Sequence, residues 1–147
     1  MLKDRFKYIG SSYLFLIKDR QILLLRRVNT GFMDGMYGLP SGHLDGNETA
    51  REGGAREFKE EIGIIINPED LEVVQVMHRK AVLDERIDFF MTAKKYNGDI
   101  KNMEPEKCDD LRWFSLSKLP DNIIPYIKES ILNFQKGKFY SEWGYGK

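Results

Sequence analysis

A helical segment that lies between a glycine-rich loop and a terminating glycine constrains this fold most. Residues 48–62 have helical spacing, and Gly63 directly after them is a typical helix C-terminus. The loop before the helix, residues 29–46, is rich in residues that permit or impose unusual backbone angles, namely Gly31, Gly35, Gly38, Pro40, Gly42 and Gly46. Because loops of this kind often carry function, we expect the loop and the helix to form the functional part of the chain.

Strand-like patterns flank this segment on both sides. Apolar and aromatic residues at 9–17 and 21–27, separated by polar residues 18–20, predict a β-hairpin. Further strands are predicted at 71–79, 86–96 and 111–116, and a second helix with one apolar face at 123–135. Since strands outnumber helices, we predict an α/β (α+β) fold in which a mixed β-sheet packs between helices.

Composition indicates one folded domain, residues 1–147, with neither a membrane nor polymeric nucleic acid as a partner. The 23 basic and 23 acidic residues give no net charge, which argues against a broad basic surface for nucleic acid. No apolar run approaches the roughly 20 residues that span a bilayer. Because Cys108 is the only cysteine, a disulfide within the chain is excluded and a cytoplasmic location is expected. A small, highly charged ligand is compatible with this composition.

Three glutamates share one face of the central helix. Glu57, Glu60 and Glu61 stand at i, i+3 and i+4, so their like charges raise one another's pKa unless a cation lies among them. Oxygen ligands without a nearby His or Cys pair favour a hard ion, Mg²⁺ or Mn²⁺. Taken alone, the same glutamates would also suit an ordinary solvated helix surface.

The spacing around these glutamates decides between the two interpretations. Residues 42–64 match the pattern G-x5-E-x7-R-E-U-x-E-E-x-G-U, in which U is apolar. This segment resembles the Nudix box. The resemblance implies an α/β/α sandwich and a hydrolase that uses Mg²⁺ or Mn²⁺ to cleave a nucleoside diphosphate linked to another group, with a small nucleotide as its substrate.

The resemblance also assigns roles around the predicted metal ion. It implies that Glu57 and Glu61 are metal-binding, catalytic carboxylates, with Glu60 as an additional ligand. Ser41 matches the residue whose backbone carbonyl joins the metal in relatives, which the sharp turn at Gly42 permits.

Other residues of the pattern are expected to support the helix. Arg56 resembles the family's structural arginine, which pairs with Glu48 and points away from Glu57 and Glu61, and Gly63 ends the helix. Gly53 and Gly54 each cost about 1 kcal/mol relative to alanine. They either allow close packing of the helix on the sheet or loosen its first half.

The general base that takes a proton from the attacking water is not fixed by the pattern. Some relatives use the first glutamate of the box, here Glu57, and others use a glutamate on a separate loop. Glu104 and Glu106 precede the strand predicted at 111–116 and are the candidates for that second role, either as base or as a further metal ligand. Each could equally be an exposed loop acid.

The substrate class is suggested by weaker similarities. Residues 80–82 are Lys-Ala-Val, where ADP-ribose hydrolases of the family tend to have a proline and dinucleoside polyphosphate hydrolases a tyrosine. The chain is more similar to MutT-type hydrolases, which cleave nucleoside triphosphates, including oxidised ones, to the monophosphate and pyrophosphate. By position, the residues that match nucleoside contacts of that group are Arg27, Leu39 and Asn122, and Phe32 or Tyr37 is a candidate for stacking on a base.

Three alternatives stay open at this point. The chain could hydrolyse another nucleotide derivative, a sugar nucleotide or a dinucleoside polyphosphate. It could be a nucleotide-binding module that has lost activity, although no box carboxylate is missing. It could be an isoprenoid diphosphate isomerase, although Cys108 lacks the context that this reaction needs. Dimers are common among relatives, so a homodimer is an open alternative to a monomer.

Overall fold

The strands of this protein form two β-sheets in a computed structural model that describes residues 4–146. The elements in chain order are β1 (Ile9–Leu14), β2 (Ile17–Lys18), β3 (Gln21–Arg27), β4 (Tyr37–Gly38), β5 (Ser41–His43), α1 (Ala50–Ile62), a 3₁₀ turn (Pro68–Asp70), β6 (Leu71–Lys80), β7 (Glu85–Ala93), β8 (Cys108–Ser115), α2 (Pro125–Gln135) and β9 (Tyr140–Trp143).

The larger sheet contains both parallel and antiparallel strand pairs. Its strand order is β5-β1-β7-β6-β9. β1 runs parallel to β7, and β6 runs parallel to β9, whereas the other neighbours are antiparallel. In the smaller sheet, β3 pairs antiparallel with β2, β4 and β8. The predicted mixed α+β fold is therefore confirmed.

Two hydrophobic clusters cover opposite faces of β1 and of the residues after it. Tyr13 and Phe15 belong to the cluster that includes α2, and Leu14 and Leu16 belong to the cluster that includes Phe58 of α1. Because side chains alternate along an extended chain, this segment packs against one helix on each side. The larger sheet accordingly lies between the two helices, as predicted.

The predicted hairpin of 9–17 with 21–27 is wrong for most of its length. Only Ile17 and Lys18 pair with the start of β3, whereas β1 pairs with β5 and β7 in the other sheet. The run 9–17 thus serves two sheets, and the chain leaves the larger one after Leu14. The physical reason is that a strand buried on both faces is apolar whichever strand it pairs with. Its sequence therefore does not distinguish a hairpin partner from a distant parallel one.

Helix α1 begins at Ala50, two residues after the predicted start at residue 48, and ends at Ile62 before Gly63 as predicted. Thr49 accepts a hydrogen bond from the backbone N–H of Glu52, and the Glu52 side chain accepts one from Thr49, which forms a capping box. Gly63 adopts φ 78°, the left-handed conformation that glycine favours at a helix C-terminus. Neither helix of the described residues is long and apolar enough to cross a lipid bilayer.

Strands β4, β5 and β9 were not expected from the sequence. The first two lie inside the glycine-rich loop and are two and three residues long, too short for a hydrophobic period to show. β9 pairs with β6 at the edge of the larger sheet. Its four residues alternate between exposed and more buried positions, a pattern that becomes recognisable only once β6 is beside it.

The two glycines within α1 allow close packing, which settles the alternative posed above. Gly53 and Gly54 are buried. A Cβ atom on Gly53 would overlap the Leu44 side chain and lie 2.8 Å from Glu48 Oε2, and one on Gly54 would lie 3.3 Å from Ser12 Cβ. Neither position has room for alanine without movement of its neighbours.

We therefore expect Gly53→Ala to lower the free energy of unfolding by roughly 1–2 kcal/mol, because overpacking outweighs the gain of about 1 kcal/mol in helix propensity. Arg51→Ala, at an exposed position of the same helix, should change it by less than about 0.5 kcal/mol. Denaturant unfolding of both variants measures the effect. Stabilisation by Gly53→Ala would contradict the packing described here.

Candidate active site

A cavity of about 690 Å³ is lined by residues of α1, of the larger sheet and of the neighbouring loops. Its volume is in the range of small-molecule binding sites. The charged side chains that line it include two groups. An acidic group consists of Glu57, Glu60, Glu61 and Glu104, and an arginine group consists of Arg79 and Arg86. The cavity thus brings together carboxylates from the helix and from a loop more than forty residues later in the chain.

Glu61 is the most enclosed carboxylate of the acidic group. Its Oε1 accepts a hydrogen bond from the backbone N–H of Ser41 at 2.9 Å, which ties the end of α1 to β5. Burial, with a smaller contribution from the charges of Glu104 and Glu57, raises the pKa of Glu61 from its usual 4.5 to about 8. Without a cation nearby, this side chain therefore favours its neutral form at pH 7.

Arg56 bridges two carboxylates on different segments. Its Nη2 lies 2.9 Å from Glu48 Oε2, and its Nη1 lies 2.7 Å from Glu57 Oε1. The predicted pairing with Glu48 is present in the structure, whereas the expectation that Arg56 points away from Glu57 is wrong. The guanidinium offers donors along several edges, so one arginine spans both acids.

Gly42 permits the helix to approach β5 closely. A Cβ atom at this position would overlap the side chain of Glu57, so any other residue would push the carboxylate away from the strand. Burial raises the pKa of Glu57, and the hydrogen bond from Arg56 lowers it. The side chain thus lies between a close-packed strand and a cationic partner.

The four carboxylates do not form a ready metal cage. Among residues 4–146, no group of three or more His, Cys, Asp or Glu side chains is close enough together to hold a metal ion. Two of the predicted ligands have other partners, since Glu57 binds Arg56 and Glu61 binds the Ser41 N–H. The predicted roles of Ser41, Glu57, Glu60 and Glu61 as metal ligands stay predictions.

The structure separates the two loop glutamates. Glu104 lines the cavity, and its charge acts on Glu61. Glu106 is exposed and is not among the lining residues; its backbone carbonyl accepts a hydrogen bond from Asn29. Of the two, only Glu104 is placed to act together with the glutamates of α1.

The predicted nucleoside contacts are divided as well. Arg27 and Phe32 line the cavity, and the Arg27 guanidinium lies 5.4 Å from the centre of the Phe32 ring. Leu39 is 2% exposed and belongs to the core, as does Tyr37. None of the lining residues is Asn122, whose side-chain amide donates to the Gly35 carbonyl at 2.9 Å. The structure therefore does not bring Leu39 or Asn122 to the cavity.

The arginine group was missed in the sequence analysis. Arg79 of β6 is 4% exposed and donates to Asp88 of β7 at 2.6 Å, and its guanidinium lies 3.8 Å from the ring centre of Tyr126. Arg86 binds Asp84 at 2.8 Å and approaches His43 Nε2 at 2.7 Å. The available signal was the presence of charged residues inside strand-like runs, which rarely bury charge without a partner.

A family model for the NUDIX domain matches residues 9–134 of this chain. A putative 8-oxo-dGTP diphosphatase of Bacillus subtilis is 30% identical over 128 residues, which are 87% of this chain and 80% of that protein. An ADP-ribose pyrophosphatase of Methanocaldococcus jannaschii is 30% identical over 129 residues, 88% of this chain and 70% of that protein.

Solved structures show the same fold. A MutT NUDIX hydrolase of Burkholderia pseudomallei superposes with a TM-score of 0.77 at 23% identity, covering 86% of this chain and 97% of the other. A MutT protein of Methanosarcina mazei Go1 gives a TM-score of 0.75 at 23% identity, covering 91% and 97%. Likeness at this level of identity concerns the arrangement of helices and strands.

Glu61 should make the stability of the metal-free protein depend on pH. Its folded pKa of about 8 exceeds the usual 4.5, so the stabilisation is complete below pH 4.5 and is lost as the pH rises towards 8. We expect Glu61→Gln, which stays neutral, to gain stability relative to wild type across this window by a few kcal/mol at about 1.4 kcal/mol per pKa unit. Unfolding in EDTA at several pH values tests this, with Glu72→Gln at an exposed position of β6 as the control. A constant difference between Glu61→Gln and wild type would contradict it.

Proposed function

The chain belongs to the Nudix family, and from this premise we propose that it is a metal-dependent pyrophosphohydrolase that converts a nucleoside triphosphate to the monophosphate and pyrophosphate. Members of the family hydrolyse pyrophosphate bonds. The observation that carries the proposal is the single cavity in which Glu57, Glu60 and Glu61 of the helix meet Glu104 of a distant loop. The relative named as an 8-oxo-dGTP diphosphatase supports this substrate class, including triphosphates with an oxidised base.

The residues present fit a divalent cation of the Mg²⁺ or Mn²⁺ type. The donors of the acidic group are carboxylate oxygens, which such hard ions prefer. Burial and mutual repulsion disfavour the charged form of Glu61, and a cation would reverse that preference. When bound, the ion would supply positive charge that the oxygens of a diphosphate need. Glu57, Glu60 and Glu61 would hold it, with the Ser41 carbonyl as a further donor.

The chain's own groups accept a proton, bind phosphate oxygens and orient a carboxylate in the reaction. The oxygen of a water molecule attacks a phosphorus of the anhydride, the bond to the bridging oxygen breaks, and a carboxylate accepts the proton that the water loses. Arg27 lines the same cavity and is placed to bind phosphate oxygens. Arg56 holds Glu57 by a hydrogen bond of 2.7 Å and so fixes the orientation of that carboxylate.

Two carboxylates are candidates for the proton acceptor. The Arg56 hydrogen bond lowers the pKa of Glu57 against the opposing effect of burial, which makes it a weaker base than its enclosed position alone would. Glu104 lies on a loop rather than on the helix and faces the same cavity. We assign the proton transfer to Glu104, because this leaves the helix carboxylates free to bind the cation.

A hydrolase of nucleoside diphosphates linked to a sugar is the second candidate function. The relative named as an ADP-ribose pyrophosphatase is as similar, at 30% identity over 129 residues. Against it, residues 80–82 lack the proline expected of ADP-ribose hydrolases. A panel of nucleoside triphosphates, oxidised purine triphosphates, ADP-ribose and dinucleoside polyphosphates distinguishes the candidates, and the highest kcat/KM should be for a triphosphate.

Glu61→Gln should lower kcat with Mg²⁺ at least a hundredfold, because it removes a carboxylate that would hold the cation. Its circular dichroism spectrum should stay that of the wild type. The control is Glu72→Gln, which removes an exposed carboxylate outside the cavity. Unchanged turnover of Glu61→Gln would rule out its proposed role.

The matched pair Glu104→Gln and Glu106→Gln tests the loop assignment. We expect Glu104→Gln to lower kcat about a hundredfold or more, as loss of a general base does. Glu106→Gln changes the same type of side chain two residues away but outside the cavity, so its kinetics should match those of wild type. Equal effects of the two substitutions would refute the assignment.

A further inference from the structure

A second cavity, of about 550 Å³, lies at the end of β7, where Thr92 and Ala93 line it. The active-site cavity is lined by Arg86, near the start of the same strand, and none of the described residues lines both cavities. The volume of the second cavity is in the range of small-molecule sites, roughly 300–1,000 Å³. It is therefore a candidate binding site that the proposed reaction does not use.

The second cavity exists because the chain crosses from one sheet to the other after β1. The Phe15 N–H donates to the Met91 carbonyl at 2.8 Å, and the pairing of β1 with β7 ends there. Residues 17–18 then pair with β3 in the smaller sheet, whereas β7 continues beside β6 to Ala93. The diverging segments leave a gap, which Trp113 of β8 lines on the side of the smaller sheet.

The end of β7 offers a backbone donor to this gap. The Met91 carbonyl faces β1, and backbone groups two residues apart in a strand point to the same side. The Ala93 N–H therefore points to the β1 side as well, and in agreement the Lys94 N–H points the other way, to the Asp70 carbonyl. Among residues 4–146, β7 has no partner strand on the β1 side beyond Met91. This leaves the Ala93 N–H available to a ligand.

Positive charge is concentrated around the second cavity. Lys18, Lys94 and Lys95 line it and are exposed. Within the part of the chain that the structure describes, no Asp or Glu lines this cavity, and none of the three lysines forms an ion pair. The chain as a whole has equal numbers of basic and acidic residues, so this local excess is not a general property of its surface. An anion is the ligand that such a cavity favours.

Aromatic side chains form another part of the wall. Tyr96 and Trp113 are half-buried and line the cavity. Phe134 of α2 also lines it, and the centre of its ring lies 4.9 Å from that of the buried Phe15. Aromatic side chains beside lysines bind ligands in which a flat ring is linked to a phosphate, since the ring stacks and the phosphate pairs with the ammonium groups.

We propose that the second cavity binds a nucleoside monophosphate, at a site separate from the site of hydrolysis. The base contacts Tyr96 and Trp113, and the phosphate contacts the three lysines and the Ala93 N–H. The choice of a nucleotide among aromatic anions rests on the proposed function, because the proposed reaction releases a nucleoside monophosphate. Since the two cavities share no lining residue among those described, both can be occupied at the same time.

The fluorescence of Trp113 tests the proposal. The chain has two tryptophans, so Trp143→Phe leaves Trp113 as the only one, and among the described residues no tryptophan lines the active-site cavity. In EDTA, AMP should quench Trp113 in a saturable way below about 1 mM. Its Kd should be at least tenfold lower than those of adenosine and of inorganic phosphate, because each of these can make only one of the two kinds of contact. No quenching by AMP, or equally tight binding of adenosine or phosphate, would overturn the proposal.

The double variant Lys94→Gln/Lys95→Gln tests the charged part of the site. In the Trp143→Phe background it should weaken AMP binding tenfold or more, because two of the three ammonium groups are lost. The matched control is Lys118→Gln/Lys128→Gln, which removes two exposed lysines that line neither cavity and should bind AMP as its parent does. Equal weakening by both double variants would mean general charge attraction and would refute the site.

Hydrolysis measured with Mg²⁺ separates this inference from the proposed function. If no triphosphate is hydrolysed, the proposed function fails, while quenching of Trp113 by AMP that depends on Lys94 and Lys95 still supports the second site. If triphosphates are hydrolysed but AMP quenches Trp113 only when Mg²⁺ is present, the signal comes from the active-site cavity and the second site is refuted.

Discussion

The contact between helix α1 and strand β5 positions everything else in the cavity. Glu57 occupies the space where Gly42 has no side chain, and the Ser41 N–H binds Glu61 one helical turn later. Arg56 then connects Glu57 to Glu48, which itself accepts from the Asp45 N–H. These contacts fix the loop against the helix and hold Glu57 and Glu61 at the wall of the cavity.

This arrangement places carboxylates where their charge is disfavoured. The protein gains no stability from ionised Glu61, since burial raises its pKa to about 8. A site that favours protonation when empty and ionisation when a cation enters is well suited to bind a cation together with a phosphate chain. Burial of Glu61 thus disfavours its charged form in the metal-free protein. The cation required for the activity that we propose would favour that charged form.

The second half of the cavity depends on the larger sheet rather than on the helix. Because β1 lies between β5 and β7, Ser11 is aligned with His43 on one side and with Asp88 on the other. Arg79 reaches this row from β6 through its pair with Asp88. This part of the cavity is therefore lined by Ser11, His43 and Arg79 from three strands of the larger sheet.

Much of the local structure was predicted from the sequence. The helix after the loop was predicted with its terminating Gly63, and the strand patterns at 71–79 and 86–96 correspond to β6 and β7. The strands that pair with the run 9–17 were not predicted, because the sequence of an apolar strand buried on both faces does not indicate its neighbours. The pairing of Arg56 with Glu57 was also missed, since the direction of a long side chain depends on which acids the folded chain brings near it.

The sequence by itself determined the chemistry of the helix: which glutamates share a face, where the helix ends, and to which family the chain belongs. These properties follow from the spacing of residues along one chain segment, because an α-helix repeats every 3.6 residues. Only the tertiary structure decided that Glu104 joins those glutamates while Glu106 does not, and that Arg79 of β6 pairs with Asp88 of β7. Such choices depend on strand order and register, and a shift of one residue would turn each side chain to the opposite face of the sheet.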